Sequence, residues 1–304
     1  LSHDLLLMKN LVHPETILHE VFMKLNLLVS LLILVSFECN ADIDVKKIEG
    51  DLSKDYKNET LWKNASPDQV INLMGQPMVA PKPKNTETSL IHVSAVHDGK
   101  WIAFRMKWRD SEVSESEKLA TFSDAVALQF PIKNNEVPPP IMMGGKDDPV
   151  HIFHWKYQYQ VDAKKGKKTI DQIYPNMTAD MYPMDFKQKG NFKEASTDQK
   201  ESFVGGTAAG NPQSFPKSGV DEIFAEGFGS SAVSDSHLAI GYGEWNNGEW
   251  MVYIARPLIY ENGSKLLMGK KSHIAFAVWQ GGKKEIGAIK SLTMMWTPIN
   301  ILEK

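Results

Sequence analysis

The sequence is poor in the residues and motifs on which several classes of protein depend. It has one cysteine among 304 residues, which excludes an internal disulfide and any cysteine-rich zinc or iron–sulfur site. The C-x-x-C-H motif that attaches c-type haem covalently is absent, as are the H-E-x-x-H, Walker and G-x-S-x-G signatures. With 34 basic and 37 acidic residues, the net charge of −3 gives no electrostatic case for nucleic-acid binding.

The most hydrophobic stretch of the chain lies near its N-terminus. Residues 23–41 begin with methionine and lysine, continue through a short apolar run, and end on small residues suited to cleavage after Ala41. This is the pattern of a secretory signal peptide, and the apolar run is short for a membrane span of about twenty residues. We interpret residues 1–22 as upstream translation that the mature protein lacks. The alternatives are an uncleaved anchor helix and a lipoprotein site at Cys39.

The mature chain is therefore expected to begin at residue 42 and to be exported, to the periplasm or an equivalent compartment, without a membrane span. It then contains no cysteine, because Cys39 leaves with the signal peptide. A chain of this length outside the cytoplasm, without disulfides, must be stabilised by its hydrophobic core.

Alternating apolar and polar residues, separated by turn residues, predict strands over most of the chain from residue 89. Two hairpins are expected around Asp98-Gly99 and Asn247-Gly248, because Asp-Gly and Asn-Gly are the strongest short hairpin signals. Further strands are predicted at residues 124–130, 150–161, 272–279 and 286–296. No helix pattern alternates with these strands, so the predicted class is mainly β, an antiparallel β-sandwich.

Two segments depart from this pattern. Residues 42–88 are polar and proline-rich, and we expect an N-terminal arm with one short helix there. Residues 164–236 are rich in lysine, glycine, serine and asparagine, and form a long loop-rich insertion in the sandwich domain of residues 89–304. A structureless stretch of that length is unusual in a compact domain, so we expect it to be functional or bound to a partner.

Methionine and lysine provide the candidate ligand residues. Met142 and Met143 lie in a loop after three prolines, where a thioether can be presented without disturbing a strand ladder, although methionine is also a common core filler. Lys290 lies in a largely apolar stretch, and the alternative there is an outward-facing strand lysine. His151 and His154 lie three apart on one predicted strand, so they face opposite sides and do not form a joint metal site.

Six blocks of the sequence, in this order, resemble the γ subunit of ethylbenzene dehydrogenase and its relatives. The blocks are residues 122–131, 142–144, 149–156, 249–252 with 256–258, 274–281, and 290–292 with Trp296. The relatives are the type II DMSO reductase-family complexes, which include dimethylsulfide dehydrogenase, selenate and chlorate reductases, and nitrite oxidoreductase. The length of the insertion points to the nitrite oxidoreductase branch.

The resemblance implies a non-catalytic electron-transfer subunit that holds a non-covalent haem b inside a β-sandwich. It implies a methionine and a lysine as axial ligands, and the matching positions are Met143 and Lys290, which lie 147 positions apart. Met142 is the fallback for the methionine, and His154 or His237 would serve in a Met/His variant. The implied partners are a molybdopterin-containing α subunit, an iron–sulfur β subunit and a soluble cytochrome c.

A second function of a different class stays open. The same fold suits an exported ligand- or carbohydrate-binding module without haem, in which Trp101, Trp155 and Trp250 stack on sugar rings. Tryptophans buried in a core would give the same sequence pattern. A visible spectrum of the purified protein distinguishes the two functions.

Overall fold

A computed structural model describes residues 42–83, 85–176, 206, 209–211, 214, 218–234 and 237–303. The predicted upstream translation and signal peptide lie outside these described residues, as does most of the stretch between residues 177 and 217. No helix within the described ranges is long and apolar enough to cross a membrane.

The described residues form fourteen strands and four short helices. The strands are β1 (Ile43–Lys47), β2 (Gln69–Asn72), β3 (Met74–Gly75), β4 (Leu90–His97), β5 (Trp101–Arg109), β6 (Ala125–Pro131), β7 (Val150–Lys156), β8 (Val220–Ala225), β9 (Ala232–Val233), β10 (Ile240–Asn246), β11 (Glu249–Pro257), β12 (Lys271–Trp279), β13 (Ser291–Leu292) and β14 (Thr297–Ile301). The helices are α1 (Leu52–Asp55), α2 (Glu59–Trp62), α3 (Tyr157–Lys165) and α4 (Ile170–Ile173). The predicted mainly β class is confirmed.

The strands form two layers that face each other. The first layer has the order β10-β11-β5-β4, with β2 beside β4, and the second has the order β12-β6-β7-β8-β9. β1 and β14 join the layers, because β1 pairs with both β4 and β14, and β12 pairs first with β14 and then with β6. Every pairing among the described strands is antiparallel except the two that β1 makes.

Large aromatic side chains fill the space between the two layers. Phe104 of β5 meets Phe130 of β6 with ring centroids 5.6 Å apart, and Trp250 of β11 meets Trp155 of β7 at 5.3 Å. All four are buried, and each such side chain contributes about 1.5–3 kcal/mol to folding. The interior of the sandwich is therefore occupied by the protein itself.

Both predicted hairpins form where the turn residues indicate. β4 and β5 pair across Asp98-Gly99, and β10 and β11 pair across Asn247-Gly248. The Asp98 carboxylate accepts the backbone N–H groups of Lys100 and Trp101 at 2.8 and 2.7 Å, which fixes the first turn. Asn247 and Gly248 both have positive φ, as a two-residue hairpin turn of this kind requires.

The predicted strand over residues 150–161 is wrong in its second half. β7 ends at Lys156, and α3 follows, stabilised by a hydrogen bond of 2.8 Å from the Gln158 side chain to Asp162 one turn later. The helix ends at Gly166, which has a φ of +79° and comes directly after two lysines in the last turn. That lysine–glycine ending is a helix C-terminal signal, which the aromatic alternation outweighed in the prediction.

The predicted strand over residues 286–296 is also mostly wrong. Only β13 forms in this stretch, and β14 begins after it. After β12, Gly281 begins a 3₁₀ turn and donates its N–H to the Asp124 carboxylate at 2.8 Å, and β13 then pairs antiparallel with β12. The residues between that turn and β13 form a loop, which ends in Lys290.

The two segments that depart from the strand pattern both contribute to the sandwich. Residues 42–88 supply β1, β2 and β3, together with α1 and α2, which bury Leu52 and Trp62 against the outer face of the first layer. In the described part of residues 164–236, β8 pairs with β7 along its whole length.

Candidate functional site

The outer face of the second layer has a floor of small side chains. Alternation along the strands places Ala127 of β6 and Ala275 and Ala277 of β12 on this face, beside Ile152 of β7 and Ile223 of β8. Alanine side chains are short, so the space directly above the sheet backbone stays open there. The floor therefore has room for a flat apolar ligand.

Loops close over this floor and form a cavity of about 420 Å³. The loops carry Met142 and Met143, Phe228, and Lys290, and the lining is mostly apolar with a few polar groups. Cofactor and ligand sites have this size and composition. No group of three or more His, Cys, Asp or Glu side chains in the described part of the chain is arranged to hold a metal ion.

The loop that carries Met142 and Met143 is anchored from three sides. Trp296 donates its indole N–H to a loop carbonyl at 2.7 Å, and Gln129 donates its amide N–H to another at 2.8 Å. The Met143 carbonyl accepts the backbone N–H of Gly227 at 2.8 Å. These bonds hold the methionine pair over the cavity.

Met143 occupies a conformation that non-glycine residues rarely adopt. Its φ is +63°, and Gly144 after it has φ +76°. A Cβ on Gly144 would lie 2.7 Å from the Asp148 carbonyl oxygen, so glycine is required there. A left-handed residue costs about 1–2 kcal/mol, which the loop's anchoring bonds offset. The resulting turn packs Met143 against the buried cluster that includes Ala127.

Lys290 reaches the same cavity from the loop before β13. Its Nζ lies 4.9 Å from the centre of the Trp279 ring and, among the described residues, makes no hydrogen bond or ion pair. Burial lowers the pKa of Lys290 to about 8. At pH 7 roughly a tenth of such amines are neutral, against fewer than about one in a thousand for an ordinary lysine.

His154 of β7 also lines this cavity. Its ring centroid is 4.7 Å from that of Trp279, and its buried Nε2 has no hydrogen-bond partner among the described residues. Burial, together with the positive charges of Lys156 and Lys290, holds the pKa of His154 well below its usual value. An unpartnered buried nitrogen costs about 1–3 kcal/mol, so a ligand that bonds to it gains that free energy.

His151 faces the other way from His154, as their spacing predicts. Its ring stacks on Phe224 with centroids 4.3 Å apart and lies beside Tyr260 and the buried Arg256, between the layers. The two histidines thus belong to opposite faces of β7.

The structure brings most of the predicted site residues together. Met142, Met143, Lys290 and His154 all line the one cavity, whereas His237 does not. The cavity that these residues line lies on the outer face of the second layer, whereas aromatic side chains fill the space between the layers.

The stacking platforms of the carbohydrate-binding alternative do not form. Trp155 and Trp250 are 0% and 1% exposed, and they contact each other between the layers. Trp101 is half-buried and packs against the cluster beneath α1 and α2. The three tryptophans predicted to stack on sugar rings are therefore packed against other parts of the described protein.

Sequence reasoning missed the alanine floor and Trp279. The signal for the floor is present, since alanine occupies every second position at residues 125–127 and 275–277. Trp279 ends an apolar strand, where it reads as core. Its indole N–H bonds to the Gly287 carbonyl at 3.1 Å, and its ring contacts both His154 and Lys290.

Known proteins resemble this chain in sequence and in structure. A family model described as ethylbenzene dehydrogenase matches residues 59–291, which include every candidate donor in the cavity. A Haloferax mediterranei protein, named as a respiratory nitrate reductase heme subunit, is 20% identical over 255 residues, or 83% of this chain and 70% of that protein. Among solved structures, a Bacteroides uniformis protein described as carbohydrate-binding aligns with a TM-score of 0.42 and 9% identity, over 86% of this chain and 92% of that one. A carbohydrate binding module family 9 from Caldicellulosiruptor kristjanssonii aligns with a TM-score of 0.36 and 11% identity, over 86% and 93%.

Proposed function

This chain belongs to the ethylbenzene dehydrogenase family, and on that premise we propose that it is the haem-carrying electron-transfer subunit of an oxidoreductase complex. Met143 and Lys290 would hold a non-covalent haem b through their side chains. The haem would supply electron transfer between the iron–sulfur subunit, beside a molybdopterin-containing subunit, and a soluble cytochrome c. The chain itself makes and breaks no substrate bond.

The observation that carries this proposal is the meeting of Met143 and Lys290 at one apolar cavity. They are 147 positions apart in the sequence, and each lies on a loop that reaches over the same sheet face. A half-buried amine without a partner is uncommon in an apolar cavity unless it binds something there.

The donor set fits haem iron. Thioether is a soft ligand that favours ferrous iron, and lysine can bind iron only as the neutral amine. With a pKa of about 8, neutralising Lys290 at pH 7 costs about 1.4 kcal/mol, against about 5 kcal/mol for an ordinary lysine. When bound, haem supplies one-electron transfer, and two protein ligands leave no iron position for a substrate.

The ligand assignment is tested by adding iron protoporphyrin IX to the purified chain and recording visible and magnetic circular dichroism spectra. The wild type is expected to give a low-spin, six-coordinate spectrum and a b-type pyridine haemochrome. Lys290→Ala and Met143→Ala should each lose the low-spin spectrum. Lys283→Ala and Met295→Ala, at exposed positions, serve as matched controls and should keep it.

Two results would contradict the assignment. A wild-type protein that stays colourless with ample haem present removes the function altogether. A Lys290→Ala protein with an unchanged low-spin spectrum removes lysine as a ligand, and His154→Ala would then identify a Met/His pair. Met142→Ala distinguishes the two adjacent methionines in the same way.

The partners and the location are part of the same proposal. We infer export to the periplasm or an equivalent compartment from the signal-peptide pattern of residues 23–41, and membership of the nitrite oxidoreductase branch from the long insertion. Purification from the native host should yield the chain beginning at residue 42 and bound to a molybdopterin subunit and an iron–sulfur subunit. A chain that keeps its apolar leader would contradict cleavage after Ala41, and a chain purified without these subunits would contradict the proposed partners.

A further inference from the structure

A second cavity, of about 560 Å³, adjoins the first on the same sheet face. The two cavities share His154, Trp279 and Gly287 as a common wall. Their chemistry differs, because the first is lined mainly by alanine, isoleucine and methionine, whereas the second is lined by lysines, hydroxyl groups and carboxylates. A ligand that spans both would need an apolar body and a polar edge.

The carboxylates of the second cavity already have partners. Glu117 forms an ion pair of 2.5 Å with Lys168, and Asp162 accepts the side-chain N–H of Gln158 at 2.8 Å. Glu285 accepts two backbone N–H groups, at 2.9 and 3.1 Å. Each of these carboxylates therefore has an ion-pair or hydrogen-bond partner within the protein.

Lys156 in the second cavity has unused hydrogen-bonding capacity. Its Nζ donates to the Tyr159 hydroxyl at 2.8 Å and lies 4.4 Å from the centre of the same ring. Among the described residues its ammonium makes no other hydrogen bond and no ion pair within 4 Å, although the charge of Asp221 acts on it from nearby. An ammonium carries three donors, so two are available to an anion.

We propose that the second cavity binds the carboxylate groups of the haem whose ring occupies the first cavity. This inference rests on the proposed function. Haem b is an apolar macrocycle with two propionate groups on one edge, which matches an apolar cavity continuous with a polar one that contains lysine side chains. Lys156 supplies the cation, and the unpartnered Nε2 of His154, in the shared wall, supplies a neutral donor.

This assignment gives His154 a role other than that of an iron ligand. As a carboxylate donor it would keep its ring neutral, which agrees with the direction of its pKa, and it would leave the axial pair unchanged. Lys167, which also lines the second cavity, adds positive charge to the same region. Lys168, in contrast, is neutralised by Glu117 and contributes little.

The test compares iron protoporphyrin IX with its dimethyl ester, in which both carboxylates are neutral. The full chain is loaded with each porphyrin, the visible spectrum is recorded, and the rate of transfer to excess apomyoglobin is measured. For the wild type, esterification should speed release on the order of tenfold or more, the usual effect of losing a charge-assisted hydrogen bond. The axial-ligand spectrum should not change.

Variants assign that difference to particular side chains. Lys156→Met should bring the two release rates to within about threefold of each other, whereas Lys156→Arg should preserve the wild-type ratio. Lys168→Met is the matched control and should also preserve it. Far-ultraviolet circular dichroism shows that each variant is folded, and His154→Leu should speed release of the unesterified haem with the low-spin spectrum retained.

The outcomes separate this inference from the proposed function. Wild-type protein that releases both porphyrins at the same rate, with a low-spin spectrum, overturns the carboxylate site and leaves the haem function standing. Loss of the low-spin spectrum in His154→Leu overturns the role of His154 as a carboxylate donor, since it would then be a ligand. Wild-type protein that binds neither porphyrin overturns the proposed function and this inference together.

Discussion

The affinity for haem is expected to rise steeply with pH up to about 8 and to level off above it. Lys290 must lose its proton before its amine can bind iron, and its pKa is about 8. The neutral fraction is then about 1% at pH 6, half at pH 8 and about 90% at pH 9. The affinity should therefore increase about 50-fold from pH 6 to pH 8, and less than about twofold from pH 8 to pH 9.

Two other titratable groups near the cavity act in different ways. His154 has a pKa well below its usual value and stays neutral across this range, so it does not contribute to the change of haem affinity with pH. Burial also lowers the pKa of Lys156, and the loss of its proton weakens carboxylate binding, which opposes the rise at the upper end. The measurement that isolates Lys290 is therefore the difference in haem affinity between the wild type and Lys290→Met at each pH. This variant keeps Lys156 and removes the amine of residue 290.

The assay is a titration of the haem-free chain with iron protoporphyrin IX at half-unit steps from pH 6 to pH 9. Competition with a porphyrin-binding protein of known pH dependence extends it to tight binding. The wild type should follow the lysine titration, and Lys290→Met should show weaker binding with no such slope. A wild-type affinity that is flat over this range, or a variant with the same slope, would refute the reasoning.

Three further predictions concern stability. Without haem, Lys290→Met should raise the free energy of unfolding at pH 7 by about 1–3 kcal/mol, because a half-buried cation is removed. The wild type, in which the folded-state pKa of Lys290 is lowered, should gain stability from about pH 8 to pH 10.5 in urea titrations. A Lys290→Met protein that shows the same gain would contradict the assignment. Gly144→Ala should lower the free energy of unfolding in urea by about 1–3 kcal/mol more than Gly166→Ala does. Both glycines have positive φ, but only at Gly144 would the added Cβ lie 2.7 Å from a carbonyl oxygen. Equal losses of stability would show that this close contact is unimportant. Burial, and secondly the charge of Asp110, raises the pKa of Asp124 to about 7. The folded state therefore binds more protons than the unfolded state from about pH 4 to pH 7, and the free energy of unfolding falls as the pH rises through that window. Asp110→Asn should make this fall smaller, and an unchanged slope would refute the coupling between the two carboxyl groups.

Local signals predicted the strands well where a turn residue is chemically specific. Asp98 and Gly99 fix a turn through the Asp98 side chain, so the hairpin follows from adjacent residues alone. The helix α3 was missed because its aromatic–polar alternation has the period of a strand. Its first turn is capped by a hydrogen bond of 2.9 Å from the Gln158 backbone N–H to the distant Ser123 hydroxyl, which no local pattern reveals.

The sequence also could not tell which face of the second layer holds the site. Every residue of β6 is buried, on both faces of the sheet. The alternation places Ala125 and Ala127 on one face and Leu128 and Phe130 on the other, but it does not determine which of these faces packs against the other layer. The family resemblance identified Met143 and Lys290 by position. Their common cavity depends on the loop anchoring and on the end of β12, which are tertiary features.

Bulky rings occupy one side of the second layer and alanines the other, so the core is packed independently of what lies over the alanines. On the proposed function, the haem would bind to a sheet face that the core already stabilises. It would then be exchangeable for modified porphyrins while the sandwich stays folded, so that redox chemistry could be varied on a constant scaffold.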